Sequence, residues 1–164
     1  MGWKQIPVGP LNLSNDENPT LSNDLNTNGF GLQLTDELNN GEYSGVIISG
    51  PLDSSVALGD LVSPFGTTYF PSDISGTQYM PVFGIAVDLS GKILVNGLFK
   101  NNSLTLPSIG SVVYAGTNPG SISGSAPSSD LSGYGVQSIG YVWDDTDNNR
   151  IIYIKPAATV LRIL

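Results

Sequence analysis

The chain has 164 residues, a length typical of one domain or of one domain with an extended arm. It contains 20 Gly, 20 Ser, 14 Asn and 10 Thr, whereas charged residues make up only 12%, about half the usual share. This composition argues against a helical bundle or a coiled coil. The net charge is −8 and the chain has no Cys and no His, which excludes disulfides, His-dependent catalytic triads, zinc sites and a basic nucleic-acid groove.

Residues 1–41 differ in composition from the rest of the chain. Asn, Asp, Ser and Thr dominate there, leucines recur singly, and β-branched residues are nearly absent after Val8. We predict an extended N-terminal arm that precedes a β-domain over residues 42–164. The isolated leucines indicate that the arm lies on a surface, either that of its own domain or that of a neighbouring subunit or larger assembly.

Short strand signals follow one another from Tyr43 to the end of the chain. The candidate strands are residues 43–49, 60–63, 67–70, 80–88, 92–96, 98–100, 111–115, 135–144, 150–155 and 159–164. A helical period is never kept for twelve residues without an interrupting Gly or Pro. The predicted fold is therefore all-β, a small β-barrel or sandwich of about ten short strands.

Three local patterns predict more detail. Asn96-Gly97 is the preferred centre of a type I′ turn and predicts a hairpin between residues 92–96 and 98–100. Residues 80–87 are apolar at nearly every position, so we expect both faces of that strand to be covered. Alternation along residues 135–144 places four side chains on one face of a strand, Gln137, Ile139, Tyr141 and Trp143.

A weak internal repeat runs through the predicted domain. Its first copy comprises residues 59–63, 83–88 and 92–96, and its second copy comprises residues 110–115, 139–144 and 150–155. Glycines match at Gly59 and Gly110, and again at Gly84 and Gly140. The repeat predicts two related three-strand units that cover each other's apolar faces, although Gly-rich β proteins also show such similarities by chance.

The second copy resembles a C-terminal module of tailed-phage virion proteins. The order is a Gly-opened strand ending in Tyr, a Pro-Gly turn, a Ser/Gly-rich stretch, a Val-Gln-x-Ile-Gly-Tyr-Val strand and a hairpin partner. The matching residues are Gly110, Val113, Tyr114, Pro119, Gly120, Ile122, Pro127, Val136, Gln137, Ile139, Gly140 and the strand 151–154. The upstream segments 59–63 and 83–88 are similar to the barrel of those proteins, so the resemblance covers residues 56–156.

The resemblance implies a structural role on a virion. In that family the module is a small β-barrel of head decoration (cement) proteins, head fibres and some tail-fibre parts. We therefore expect a homotrimer that is made in the host cytoplasm, binds the major capsid protein on the outer surface of the head, and stabilises the shell by bridging neighbouring capsid proteins. The arm is the expected capsid contact, with the apolar anchors Trp3, Ile6, Val8, Leu11 and Leu13.

An alternative function is that of a head- or tail-fibre component that binds a host cell-surface glycan. Tyr69 and Tyr79 flank the loop 71–78, and exposed aromatic rings beside Asn and Asp can stack on sugars. The same aromatic residues can instead belong to the barrel core or to a trimer interface. A third option is a free-standing lectin-like domain unrelated to phages.

Neither metal binding nor catalysis is the preferred interpretation of the acidic residues. Asp145, Asp147 and Asn149 have the alternating oxygen-ligand spacing of a calcium loop, but the following glycine and the distal Glu are missing. We interpret this cluster as a solvated turn. The three Glu residues lie in or beside the predicted arm, a poor place for a carboxyl whose pKa must be raised. We expect no enzymatic activity and no cofactor.

The hydropathy pattern gives no indication of membrane association. The longest apolar run, Met80 to Val87, has eight residues, whereas a spanning helix needs about 20. The first residues lack the apolar region of a classical export signal. We therefore expect a soluble protein without membrane or nucleic-acid partners.

Overall fold

A computed structural model of the chain describes residues 37–76, 78–128 and 130–163. These residues contain eleven β-strands and no helix, which confirms the all-β prediction. The strands are β1 (Tyr43–Ser49), β2 (Leu61–Phe65), β3 (Thr68–Pro71), β4 (Gly84–Asp88), β5 (Lys92–Lys100), β6 (Val112–Ala115), β7 (Ile122–Ser123), β8 (Gly135–Val136), β9 (Ser138–Thr146), β10 (Asn149–Ile154) and β11 (Leu161–Arg162). The described part of the chain has no helix long and apolar enough to cross a membrane.

Nine of the strands form one antiparallel sheet that curls into a half-barrel. The order along the sheet is β3-β2-β4-β5-β10-β9-β6-β7, and β1 pairs with β5 outside this path. The short strands β8 and β11 form a separate two-stranded sheet. The predicted arm, residues 1–41, lies almost entirely outside the described residues, and so do its anchors Trp3, Ile6, Val8, Leu11 and Leu13.

The weak repeat of the sequence is present in the strand order. We call β2 to β5 the first half of the sheet, and β6, β7, β9 and β10 the second half. The order β3-β2-β4-β5 in the first half matches the order β7-β6-β9-β10 in the second half, and β5 joins the halves by pairing with β10. The prediction of two related three-strand units is confirmed.

Equivalent residues of the two halves also share the same pairing register. The pairs in the first half are Leu61–Ile85 and Val62–Gly84, and their counterparts in the second half are Val112–Tyr141 and Val113–Gly140. The turns that precede β2 and β6 correspond as well. The Gly59 N–H donates to the carbonyl of Ala86 at 2.8 Å, and the Gly110 N–H donates to that of Val142 at 2.9 Å.

The predicted hairpin at Asn96-Gly97 is wrong, because both residues lie inside the continuous strand β5. Gly97 has φ 147° and pairs directly with Gly45 of β1, which has φ 150°. A Cβ at Gly97 would collide with the backbone carbonyl of Ser44. The glycine therefore allows two strand backbones to approach closely. An Asn-Gly dipeptide is compatible both with this role and with a turn, so the sequence pattern alone could not separate the two.

The predicted alternation along residues 135–144 is interrupted by a β-bulge. The register between β6 and β9 shifts at Ile139, the residue between the paired positions Ser138 and Gly140. Ile139 is fully buried, whereas Tyr141 is 50% exposed and Trp143 is 52% exposed. The prediction that Ile139 shares a face with these two aromatics is wrong, because a bulge residue changes the side to which the following side chains point.

The main hydrophobic core lies between the two halves. It contains first-half residues such as Ile85 and Val87 and second-half residues such as Val142 and Ile152. A second cluster lies on the other face of the first half, where Ala86 packs with residues of β2 and β5. Strand β4 is therefore covered on both faces, as its continuous apolar sequence predicted.

Candidate functional site

Three aromatic rings form a cluster at the end of the β2–β3 hairpin. Phe70 and Tyr79 stack with centroids 5.1 Å apart and an interplanar angle of 24°. Phe65 meets both rings edge-on, at 6.2 Å from Phe70 and 5.7 Å from Tyr79. Phe65 pairs with Thr68 beside the hairpin turn, Phe70 pairs with Ser63 further along the hairpin, and Tyr79 comes from the segment that follows β3.

A pocket of about 360 Å³ adjoins the aromatic cluster. Phe70 and Tyr79 line it together with Asp60 and Asp73. Asp60 accepts the N–H of Ala57 at 2.8 Å, and Asp73 accepts the N–H of Ser75 at 2.9 Å. An aromatic wall beside oriented carboxylates suits a small polar ligand that has one apolar face, such as a sugar ring.

Tyr69, the other aromatic residue proposed for glycan contact, belongs to a different cluster. Its ring lies 5.9 Å from that of Phe83 at an angle of 43°, and it packs over Gly50. Its N–H donates to the carbonyl of Pro51 at 2.9 Å. Consecutive residues of a strand point to opposite faces, so the ring of Tyr69 lies away from Phe70 and Tyr79.

The acidic residues near position 145 form the tip of the β9–β10 hairpin. Asp145 pairs with Arg150, and Asn149 pairs with Thr146. Asp147 occupies the turn between these pairs. No grouping of three or more His, Cys, Asp or Glu side chains that could hold a metal ion occurs in the described parts of the chain.

The hydrogen bonds of this hairpin converge on Asp144 rather than on the residues singled out in the sequence. Asp144 accepts the Thr146 N–H and the Thr146 hydroxyl, both at 2.9 Å, and the side-chain amide of Asn149. The hydrogen bond from the Thr146 N–H is the largest cause that lowers the pKa of Asp144. The carboxylate therefore stabilises the turn as a hydrogen-bond acceptor.

The equivalent hairpin of the first half uses the same arrangement. Asp88 accepts the Ser90 N–H at 2.8 Å and forms an ion pair with Lys92 at 3.2 Å. These contacts, led by the Ser90 N–H, lower the pKa of Asp88 from 3.8 to about 2. The pKa values of Glu42 and Asp53 are also lowered by hydrogen bonds within turns. In all four shifted carboxyls the change favours the ionised form, the opposite of what a general acid needs.

An exposed apolar surface on the second half was not predicted from the sequence. We call it the outer patch and define it by Ile109, Tyr141, Trp143 and Tyr153, which line a shallow groove of about 390 Å³ with Gly110 and Val142. None of these lining residues is charged. The repeat gave no signal of the patch, because Tyr141 and Trp143 correspond to Ile85 and Val87, which are buried.

A second groove, of about 460 Å³, follows the short edge strand β7. Its lining is rich in hydroxyl and amide groups, contributed by Thr117, Asn118, Ser121, Ser123, Ser125 and Ser128. The hydroxyls of Ser121 and Ser123 are engaged with backbone carbonyls at 2.7 Å. These contacts hold the loop on either side of β7 in place.

No protein-family model, no curated protein and no solved structure matches this chain. The candidate sites therefore stand on their own geometry. Two of them have the character of contact surfaces, the pocket beside the aromatic cluster and the outer patch.

Proposed function

We propose that this chain is a decoration (cement) protein of a tailed-phage head. It acts as a homotrimer that bridges neighbouring major capsid proteins on the outer surface of the shell. The observation that carries the proposal is the resemblance of the second repeat to virion modules. The matching strands β6, β9 and β10 are neighbours in one antiparallel unit, as a transferable module requires.

The surface chemistry supports a binding role. The chain is acidic overall, and the shifted carboxyls described above serve turns. The outer patch presents one Trp and two Tyr side chains, the residue types that are enriched in protein interfaces. Many such contacts, each modest in strength, add up when a protein binds a shell in many copies.

Quantitative mass spectrometry of purified virions tests this proposal. We expect hundreds of copies of the chain, in a simple ratio to the major capsid protein. A few copies, or a few dozen, would instead favour a fibre, tail or vertex location. Absence of the chain from purified particles contradicts a virion role altogether.

Deletion of residues 1–13 tests the proposed capsid contact. We expect the truncated chain to lose binding to capsids while its melting temperature is retained, because the anchors Trp3, Ile6, Val8, Leu11 and Leu13 are removed and the β-domain is left intact. The matched control replaces Asn12 and Ser14 by Ala and keeps every anchor. Unchanged capsid binding by the truncated chain would exclude the arm as the anchor.

The alternative, a fibre component that binds a host glycan, is favoured by one observation, the pocket that Tyr79 shares with Asp73 and Phe70. Under this alternative, Tyr79→Ala reduces adsorption of phage to cells and leaves the particle stable. Asp147→Asn, in the turn of the β9–β10 hairpin and not among the described residues that line this pocket, is the control. Normal adsorption of the Tyr79 variant would contradict the glycan function at this pocket.

A further inference from the structure

Each half of the sheet has a face formed by equivalent positions of the repeat. In the first half this face is buried in the main core, and in the second half it is exposed. In the first half, Ile85, Val87 and Leu94 lie in the main core together with residues of the second half. Ile85 pairs with Leu94, and the equivalent pair in the second half is Tyr141–Tyr153. In the second half this face is the outer patch, where Tyr141 and Trp143 are half exposed. The described part of the chain therefore covers this face in one half and leaves it open in the other.

The residue types at the open face differ from those at the buried one in a consistent way. Where the first half has aliphatic Ile85, Val87 and Leu94, the second half has Tyr141, Trp143 and Tyr153. Aromatic residues with a polar group tolerate water and also bury a large apolar area, so they suit a surface that is exposed before association and covered after it. The Tyr153 hydroxyl donates to the Asn96 side chain at 2.8 Å, which holds that ring in place.

The charge of the chain indicates which of the two contact surfaces, the pocket beside the aromatic cluster or the outer patch, is better suited to contact a second copy. Each copy carries a net charge of −8, so two copies repel each other wherever acidic residues would face acidic residues. The pocket beside the aromatic cluster contains Asp60 and Asp73, whereas none of the described residues that line the groove of the outer patch is charged. A second copy of this acidic chain is therefore accommodated better at the outer patch.

We infer that the outer patch is the surface through which copies of this chain associate. The patches of neighbouring copies cover one another around a symmetry axis, with Trp143 and Tyr141 as the central contacts and Ile109 at the margin. The repeat supplies the precedent, because the equivalent face of the first half is covered by apolar protein surface. This inference rests on the self-association that is part of the proposed function, and it names the surface that mediates it.

Sedimentation velocity of the full chain over a range of concentrations tests the inference. We expect the wild-type chain to form oligomers. We expect the double variant Tyr141→Thr/Trp143→Thr to raise the dissociation constant at least about thirtyfold, as loss of two central aromatic contacts does. Thr is chosen because it suits a strand, and the far-ultraviolet circular dichroism and melting of the dissociated protein show whether it is folded.

The internal repeat offers a matched pair of single variants. Ile109 on the patch is 61% exposed, and its first-half counterpart Leu58 is 50% exposed. Ile109→Ser should weaken association, whereas Leu58→Ser should leave it unchanged. Both side chains are exposed and lie in equivalent turns, so a general destabilisation of the fold by an Ile→Ser or Leu→Ser change would affect both variants equally. A difference between the two variants therefore reports on the patch.

The outcomes separate this inference from the proposed function. If the wild-type chain associates and the patch variants associate equally well, the outer patch is not the surface and the trimer remains possible elsewhere. If the folded wild-type chain is monomeric at every concentration, both the patch inference and the trimer are contradicted. A wild-type dimer that the patch variants abolish supports the patch and contradicts the trimer.

Discussion

Single buried polar side chains connect parts of this molecule that are distant in sequence. Gln137 is almost completely buried. Its amide donates to the carbonyls of Val82 and Ala157 at 3.0 and 2.7 Å, and its carbonyl oxygen accepts the Val82 N–H at 2.7 Å. The side chain therefore satisfies three backbone groups that would otherwise lose hydrogen bonds in the interior.

Gln137→Leu should lower the free energy of unfolding by about 3 kcal/mol, because it leaves buried backbone groups without partners. Chemical denaturation measures the change. Gln78→Leu is the control, since Gln78 is exposed and its loss should cost no more than about 0.5 kcal/mol. Similar losses for the two variants would contradict the structural role of Gln137.

Gly97→Ala should lower the free energy of unfolding by more than about 2 kcal/mol, because the new methyl group must displace the backbone of β1. Gly76→Ala is the matched control. A Cβ at Gly76 would meet only the Gln78 nitrogen, at an ordinary 3.9 Å. Urea unfolding measures both changes. Equal losses in the free energy of unfolding for Gly97→Ala and Gly76→Ala would contradict the close approach of β1 and β5.

At the scale of secondary-structure elements, the two equivalent hairpins depend on one carboxylate each. Asp88 binds the turn of the β4–β5 hairpin, and Asp144 binds that of the β9–β10 hairpin. Both pKa values are lowered by hydrogen bonds. Since the folded state binds protons less readily than the unfolded chain, each group contributes stability above its unfolded pKa, and this contribution is lost as the pH falls.

The titration of Asp88 predicts the pH dependence of the β4–β5 hairpin. Its pKa is 3.8 in the unfolded chain and about 2 in the folded protein, so its contribution is lost as the pH falls from about 4 to 2. We expect the melting temperature of Asp88→Asn to fall less over this range than that of the wild type. An equal fall in the melting temperature of the two proteins over this pH range would contradict this prediction. So would an Asp88 carboxyl that titrates near pH 3.8 in the folded protein.

At the scale of the whole molecule, the two halves of the sheet share one main core. Residues of both halves belong to a single hydrophobic cluster, and β5 contributes to the pairing of both, because it contacts β4 along one part and β10 along another. Neither half buries its apolar face without the other. We therefore expect the described β-domain to unfold as one cooperative unit.

Ile152→Ala tests this cooperativity. Ile152 is fully buried in the shared core, so its truncation should cost about 2–5 kcal/mol. We expect amide hydrogen exchange to speed up equally in β4 and β9, although only β9 belongs to the half that carries the change. Val46→Ala, at an exposed position of β1, is the control. Faster exchange confined to the second half would show that the halves unfold separately.

Several local predictions failed at positions where backbones approach closely or strands bulge. Asn96-Gly97 has the dipeptide of a turn, but Gly97 is required opposite Gly45 within β5. The alternation through Ile139 is broken by a bulge. The close approach at Gly97 and the bulge at Ile139 both depend on pairing with a neighbouring strand. That strand is distant in sequence, so a local stretch of sequence carries no information about it. Tyr69 and Tyr79 flank one loop of the sequence, but they belong to separate aromatic clusters. Tyr69 and Phe70 are successive residues of β3 and point to opposite faces, and Tyr79 stacks on Phe70 whereas Tyr69 lies beside Phe83.

By itself the sequence determined the fold class, most strand positions and the internal repeat, because these depend on local alternation, turn residues and self-similarity. Only the tertiary structure decided which face of each repeat is covered. Ile85 and Tyr141 occupy the same position of the repeat, yet Ile85 is buried in the shared core and Tyr141 remains half exposed. The two halves pack together in one arrangement, and that arrangement can cover this face in only one of them.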